Sequence, residues 1–190
     1  MRAFVLGNGE SRSKLSISRM AKHGYTYGCN AIYREFRPDV LITVDPEMAK
    51  EIGKTDYIKT WKVYTPYVDI SQTHQNFVQF NYTKRLCAGV TASLIAVAHG
   101  MKEIYLVGHD LGSPNGLINN CYKNTANYKQ AWQDDDSSKV YMPHYLEMFE
   151  KQSSIKFIRV MGKQTHTVKE FKQFKNYHET KIDTFIKNFQ

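Results

Sequence analysis

The chain has 190 residues, enough for one domain with a sizeable core, and its 42% hydrophobic and 13% aromatic content is that of a folded protein. Its net charge of +8 favours nucleotides, nucleic acid or other anionic partners, yet no RNP motif, C₂H₂ spacing or GXXG clamp accompanies it. No apolar run reaches the roughly 18 residues of a membrane span, no basic-then-apolar leader opens the chain, and three cysteines without a CxxC pair argue for reduced thiols in the cytoplasm and against structural zinc.

Ala3-Phe4-Val5-Leu6 predicts a first strand. It stops at Gly7-Asn8-Gly9-Glu10-Ser11-Arg12-Ser13, and residues 15–22 predict a short helix. A strand, a tight glycine turn and a helix together aim backbone N–H groups at a phosphate. The glycines permit positive φ and close backbone approach, Ser11 and Ser13 suit a helix cap or an anion, and Arg12 adds a positive fork. An ordinary strand-to-helix turn with a serine cap has the same letters. Residues 25–29 predict a second strand, ending at Cys29-Asn30-Ala31. The β-branched run 40–44 predicts a central parallel strand covered on both faces. Asp45 before Pro46 predicts the cap of a helix over 47–52, with a ribose or Mg²⁺ contact as the other reading of Asp45.

Residues 61–64 and 77–80 predict strands flanking a polar loop over 71–76. Residues 88–99 predict a helix closed by Gly100; its small residues (Gly89, Ala92, Ser93, Ala96) let it lie close to a sheet. Residues 103–108 predict a strand ending at His109-Asp110. A lid-like loop spans about 111–138 and carries Asn119, Asn120, Tyr122, Lys123, Asn127, Tyr128, Lys129 and Trp132. A helix within 140–152 and a strand over 155–160 follow. Residues 167–188 predict a last helix, with Phe171, Phe174, Ile182 and Phe185 as its apolar points.

Alternating strands and helices predict an α/β fold: a single Rossmann-like domain over residues 1–165, with a mostly parallel twisted sheet and helices on both faces. A basic helical extension occupies 166–190. Ligands in such sheets sit outside the strands' C-terminal ends, where Asn8 with Gly9, Asn30, Asp45 and Asp110 all fall. That convergence predicts a nucleotide or other phosphorylated ligand. Tyrosine hydroxyls and lysines of the long loop suit phosphate, and their rings suit a base or sugar. Asp134-Asp135-Asp136 reads as a solvated acidic turn rather than a metal site. His109, at a strand end, and His144, in the late helix, are the candidate general bases, each with a structural reading beside it.

The series Gly7-Asn8-Gly9-Glu10-Ser11, Cys29-Asn30, Ala88-Gly89-Val90, and 100–110 with its Gly108-His109-Asp110 ending resembles the CMP-sialic-acid-dependent bacterial sialyltransferases of the Campylobacter type. The resemblance covers most of residues 1–160. The run 37–46 is closer to archaeal-type 6-hydroxymethylpterin diphosphokinase-like proteins, and compact versions of the pattern resemble proteins of tailed phages. The sialyltransferase resemblance implies a metal-independent transferase with no tightly bound cofactor. Asn8, Gly9, Ser11 and Asn30 would bind the CMP part of the donor, and Tyr122 and Tyr128 would hold the leaving phosphate. Gly7, Asp45, Gly89, Asp110 and Lys123 complete the candidate nucleotide-binding set. The chain departs from that pattern in four places: Glu10 replaces a proline, Ala88 a serine and Asp45 an asparagine, and Ser137 stands where the family has its general-base histidine.

Three readings follow. The first is a nucleotide-sugar-dependent glycosyltransferase with an unidentified acceptor. The second is an ATP-dependent diphosphokinase-like enzyme with Mg²⁺ on Asp45 and Asp110. The third is a nucleotide-binding protein of the same fold without chemistry. The size and the long loop would also suit a homo-oligomer.

Overall fold

The computed structural model describes residues 1–81 and 84–190. Strand β1 (Arg2–Leu6) alternates cleanly. Ala3 and Val5 enter one core cluster, and Phe4 and Leu6 enter another on the opposite face of the sheet. After a 3₁₀ turn (Glu10–Arg12) come α1 (Ile17–Met20) and β2 (Tyr25–Cys29). A second 3₁₀ turn (Asn30–Arg34) leads to β3 (Val40–Ile42), α2 (Pro46–Gly53) and α3 (Asp56–Thr60). Then follow β4 (Val63–Thr65), α4 (Val68–Ser71), β5 (Phe77–Gln79), α5 (Ala88–Ala98) and β6 (Glu103–Val107). The chain closes with α6 (Ser137–Lys151), β7 (Lys156–Met161), a 3₁₀ turn (Lys169–Gln173), β8 (Tyr177–Lys181) and α7 (Ile182–Phe189).

All eight strands form one parallel sheet in the order β5-β4-β3-β2-β1-β6-β7-β8. The fold is therefore α/β and Rossmann-like, as the alternation predicts. Strands β1 to β5 step outward in one direction and β6 to β8 in the other, so the order reverses between β1 and β6. A crevice opens at that reversal because the crossovers on its two sides diverge. On the Ala3/Val5 face lie α5 and α6, through Val90, Ala92 and Ala96, and Tyr145, Met148 and Phe149. The other face is covered by α1, α2 and α7, through Ile17 and Met20, Met48 and Ile52, and Phe185 and Phe189. Helix α5 lies against β1, β2, β3 and β6. Its small residues allow this: Ala92, Ser93 and Ala96 are buried, and Gly100 ends the helix at φ +84°.

Residues 166–190 differ from the expected helix. Phe171 and Phe174 pack with the α5–α6 face, whereas Ile182 and Phe185 pack with the opposite face. One helix cannot reach both sides of a sheet. The segment instead turns at 169–173, pairs along β7 as β8 with Phe157 opposite Tyr177, and crosses over into α7. Among the described residues no helix is long and apolar enough to cross a membrane.

Candidate functional site

The glycine turn leaves β1 hugging the end of β6. Gly7 N–H donates to Val107 O at 2.8 Å, and Gly9 N–H donates to Gly108 O at 2.8 Å. Neither Gly7 nor Gly9 has a positive φ, contrary to expectation. They are needed for closeness instead: a Cβ at Gly7 would sit 2.6 Å from Gly108 O, and one at Gly9 2.4 Å from Asp110 Oδ2. Asp110 is buried and occupied. Its Oδ2 accepts from Ser11 N–H at 2.9 Å, and its Oδ1 from the Thr165 hydroxyl at 3.1 Å.

Several candidates from this region lie behind the turn. Ser11 spends its N–H on Asp110 and does not reach the cleft, and the short α1 is capped at Ser16 without a side-chain bond. The Arg12 fork faces inward: Nε donates to Gly7 O at 2.6 Å, Nη2 to the Tyr122 hydroxyl at 2.8 Å, and Nη1 pairs with Glu35 at 2.8 Å. Tyr122 in turn donates to Glu35, which leaves it buried beneath the turn rather than facing a ligand. Lys123 pairs with Glu10 outside the cleft.

The remaining candidates come together. A cleft of about 840 Å³ opens over the C-terminal ends of β1, β2, β3 and β6, and Gly7, Asn8, Gly9, Asn30, Asp45, Gly89, His109, Asp110, Tyr128 and His144 all line it. Asn8 Nδ2 donates to the Tyr128 hydroxyl at 2.9 Å, and Asn30 holds a left-handed φ of 52°. Asn8 Oδ1 and Asn30 Oδ1 are both buried with no hydrogen-bond partner. The Tyr128 oxygen accepts from Asn8 and, at 3.4 Å, from Ala31 N–H. Burial raises its phenol well above the usual value, so it keeps its proton and has it to give to a third group.

The two histidines differ. His109 is enclosed: a Cβ at Gly7 or Gly89 would meet its ring at 3.0 or 2.8 Å, its Nε2 is 3.1 Å from Val5 O, and its Nδ1 is 2.7 Å from the Tyr145 hydroxyl. A carbonyl can only accept, so Nε2 carries the hydrogen and Nδ1 receives Tyr145's. Burial lowers its pKa to about 3, so it is a neutral structural group and not the expected base. Its folded pKa lies below the unfolded value, so the unfolded chain takes up a proton the folded one refuses. Stability is complete above pH ~6.5 and falls by up to about 1.4 kcal/mol per pH unit from there toward pH ~3. Urea titrations between pH 7 and 4 check this, and the slope shrinks in His109→Asn.

His144 is half-buried. Its Nδ1 faces Cys87 N–H at 3.2 Å, just before α5. That contact makes Nδ1 the acceptor and puts the neutral ring's hydrogen on Nε2. Burial lowers its pKa, which keeps the ring neutral. His144 thus presents an N–H donor rather than a base.

Asp45 caps α2 as expected, with Oδ1 accepting from Glu47 N–H at 2.9 Å and Met48 N–H at 3.3 Å. Gly89 is a packing glycine, since a Cβ there would meet the Tyr145 hydroxyl at 2.7 Å. The long loop is anchored rather than loose. Cys121 N–H donates to Asn8 O at 2.7 Å, Asn119 Nδ2 donates to Gly112 O at 2.7 Å, and Asn127 bonds Glu51 at 2.6 Å. Arg85 and Tyr141 also line the cleft, and the motif reading missed both. Arg159, a cation in the buried stretch of β7, is itself fully buried and donates to His109 O and Asp110 O at 2.8 Å each, holding the end of β6 in place.

The chain matches no family model, no curated protein and no solved structure. What the cleft can do is therefore read from its own atoms. Its cations are Arg85 and Lys129, the latter 3.3 Å from Asp136. Its carboxylates are already engaged: Asp110, Asp45 and Asp135 accept from backbone N–H groups, and Asp136 pairs with Lys129. Among the described residues, no group of three or more His, Cys, Asp or Glu is arranged to hold a metal ion. An anion fits best beside Arg85 and the start of α5, whose first turn has no acidic residue.

Proposed function

We propose that the cleft binds the nucleotide of a nucleotide sugar, and that the protein is a cytoplasmic, metal-independent glycosyltransferase of the sialyltransferase-like kind using a CMP-type donor. The observation that carries this reading is the pair of buried, partnerless amide oxygens of Asn8 and Asn30 on adjacent strand ends. A buried acceptor left unmade costs about 1–3 kcal/mol, so two on residues that line one cleft point to a ligand rich in donors. Ribose hydroxyls and the exocyclic amine of a base supply them. The phosphate lies toward Arg85 and the N-terminal end of α5. As the glycosidic bond breaks, negative charge grows on that phosphate, and the Tyr128 O–H and His144 N–H are the groups that meet it. The diphosphokinase reading draws its metal ligands from Asp45 and Asp110, which already accept from backbone N–H groups.

Thermal-shift measurements with CMP, a CMP-sugar and ATP, each with and without Mg²⁺, test the reading. CMP and the CMP-sugar are expected to raise Tm without Mg²⁺. Tyr128→Phe is expected to bind CMP while losing about a hundredfold in CMP-sugar turnover. A shift with Mg-ATP alone would favour the diphosphokinase. Binding without turnover on any acceptor would leave a binding protein.

A further inference from the structure

Two charged residues behind the cleft are joined to three of the segments that form it. Arg34 ends the 3₁₀ turn that begins at Asn30, and Glu51 lies on α2, whose cap Asp45 lines the cleft. Neither Arg34 nor Glu51 lines the cleft itself. Glu51 Oε1 accepts from Arg34 Nη2 at 2.5 Å, from Arg34 Nε at 2.9 Å and from the Tyr33 hydroxyl at 2.5 Å. Its Oε2 accepts from Asn127 Nδ2 at 2.6 Å. The Arg34 fork also reaches the long loop: Nη1 donates to the Thr125 hydroxyl at 2.9 Å, and Nη2 donates to Ala126 O at 3.2 Å.

Thr125, Ala126 and Asn127 are therefore all held by this pair, and the next residue is Tyr128. Tyr128 N–H closes the turn on Thr125 O at 3.1 Å, and Asn127 inside it has a left-handed φ of 66°. That φ is unfavourable for a residue with a Cβ, and the bond from the Asn127 amide to Glu51 holds it. Arg34 covers the ring as well: its Cζ lies 5.9 Å from the Tyr128 centroid and 5.9 Å from that of Tyr122. Burial alone would raise the Glu51 carboxyl, but the bonds from Arg34, Tyr33 and Asn127 outweigh it and lower the pKa, so the carboxylate stays charged.

We propose that Arg34 and Glu51 are positioning residues: together they bracket the 125–128 turn against the turn that begins at Asn30, and so fix where the Tyr128 hydroxyl sits in the cleft wall. This role rests on the reading that the Tyr128 O–H meets the leaving phosphate, and it identifies what aims that group.

Two conservative variants test the bracket. In Arg34→Lys the charge remains, but one ammonium cannot reach Glu51, Thr125 and Ala126 together. In Glu51→Gln the shape remains, but the amide nitrogen must face either the Arg34 fork or Asn127 Nδ2, donor against donor. Each is expected to lower kcat for release of CMP from a CMP-sugar about tenfold, with KM within twofold and the CMP-induced Tm shift in place. The double variant is expected to be no worse than either single one, because both break the same bracket. In protein carrying ¹³C-labelled tyrosine, with Tyr128→Phe assigning the signal, the Tyr128 ring resonance of the free protein is expected to move in both variants. An unmoved resonance, or a kcat equal to the parent's, would overturn the bracket. So would a joint loss of kcat, CMP shift and free-protein Tm, which marks damage to the fold alone. If the unaltered protein releases no CMP, the transferase reading fails, and the resonance by itself decides the bracket: movement upholds it and an unmoved signal overturns it.

Discussion

Asn30→Gly is expected to make the free protein more stable and the nucleotide complex weaker. Two features of Asn30 are unfavourable to folding by themselves. Its φ of 52° lies in the left-handed region, and its Oδ1 is buried with no partner. Glycine accepts that φ without strain and removes the orphaned oxygen. Relief of a buried unmade acceptor is worth about 1–3 kcal/mol, against which the extra freedom of unfolded glycine costs up to about 1 kcal/mol. The net gain is expected to be about 1–2 kcal/mol, or a Tm rise of roughly 2–8 °C in a chain of this size. CMP affinity is expected to fall about tenfold, the value of one well-made hydrogen bond. Asn30→Ala separates the two effects, because its Cβ is strained at this φ: it should lose the same binding with a smaller gain in Tm. Calorimetric Kd values and melting curves on both variants check the pattern. A lower Tm with an unchanged Kd would show that the Asn30 amide serves the fold and not a ligand.

The sheet was legible because its central strands write their burial into the letters. Ala3-Phe4-Val5-Leu6 and the run from 40 to 44 have no polar face, and only a strand covered on both sides tolerates that. The strand-end residues followed from the same logic, since a parallel sheet brings every C-terminal end to one rim. The last segment was not legible, because phenylalanines near helical spacing look alike whether they face one side of a sheet or two. Within the site, residue type was readable and direction was not. Tyr122 and Tyr128 are equivalent as letters. Arg12 and Glu35 draw Tyr122 under the glycine turn, while Asn8 and Ala31 hold Tyr128 in the cleft wall. His144 was found as a residue, but its role as donor depends on the N–H of Cys87, which no motif records. Arg159 left a faint signal, a cation between the apolar Ile158 and Val160, but what it holds is visible only in three dimensions.

Gly9→Ala is expected to cost about 3–4 kcal/mol and to lower Tm by roughly 6–15 °C, the largest stability loss of any single added methyl in the turn. The new Cβ would lie 2.4 Å from Asp110 Oδ2 and 2.7 Å from Gly108 O. Neither neighbour can yield. Asp110 is held by Ser11 N–H and Thr165 through its carboxylate, and by Arg159 and His166 N–H through its carbonyl. The turn must therefore lift away from β6, breaking the 2.8 Å bond from Gly9 N–H to Gly108 O. The same substitution at Gly53, the last residue of α2, is a control. There a Cβ meets the Phe77 ring at an ordinary 3.5 Å, and a helical alanine is favoured by about 0.5–1 kcal/mol. The contrast decides why the turn is glycine-rich. If Gly9 serves only the approach of a phosphate, Gly9→Ala will melt like the parent protein and fail to bind. If it serves the packing of β1 on β6, the free protein itself will be weakened, and nucleotide binding will be lost because Asn8 and Gly9 move out of the wall together.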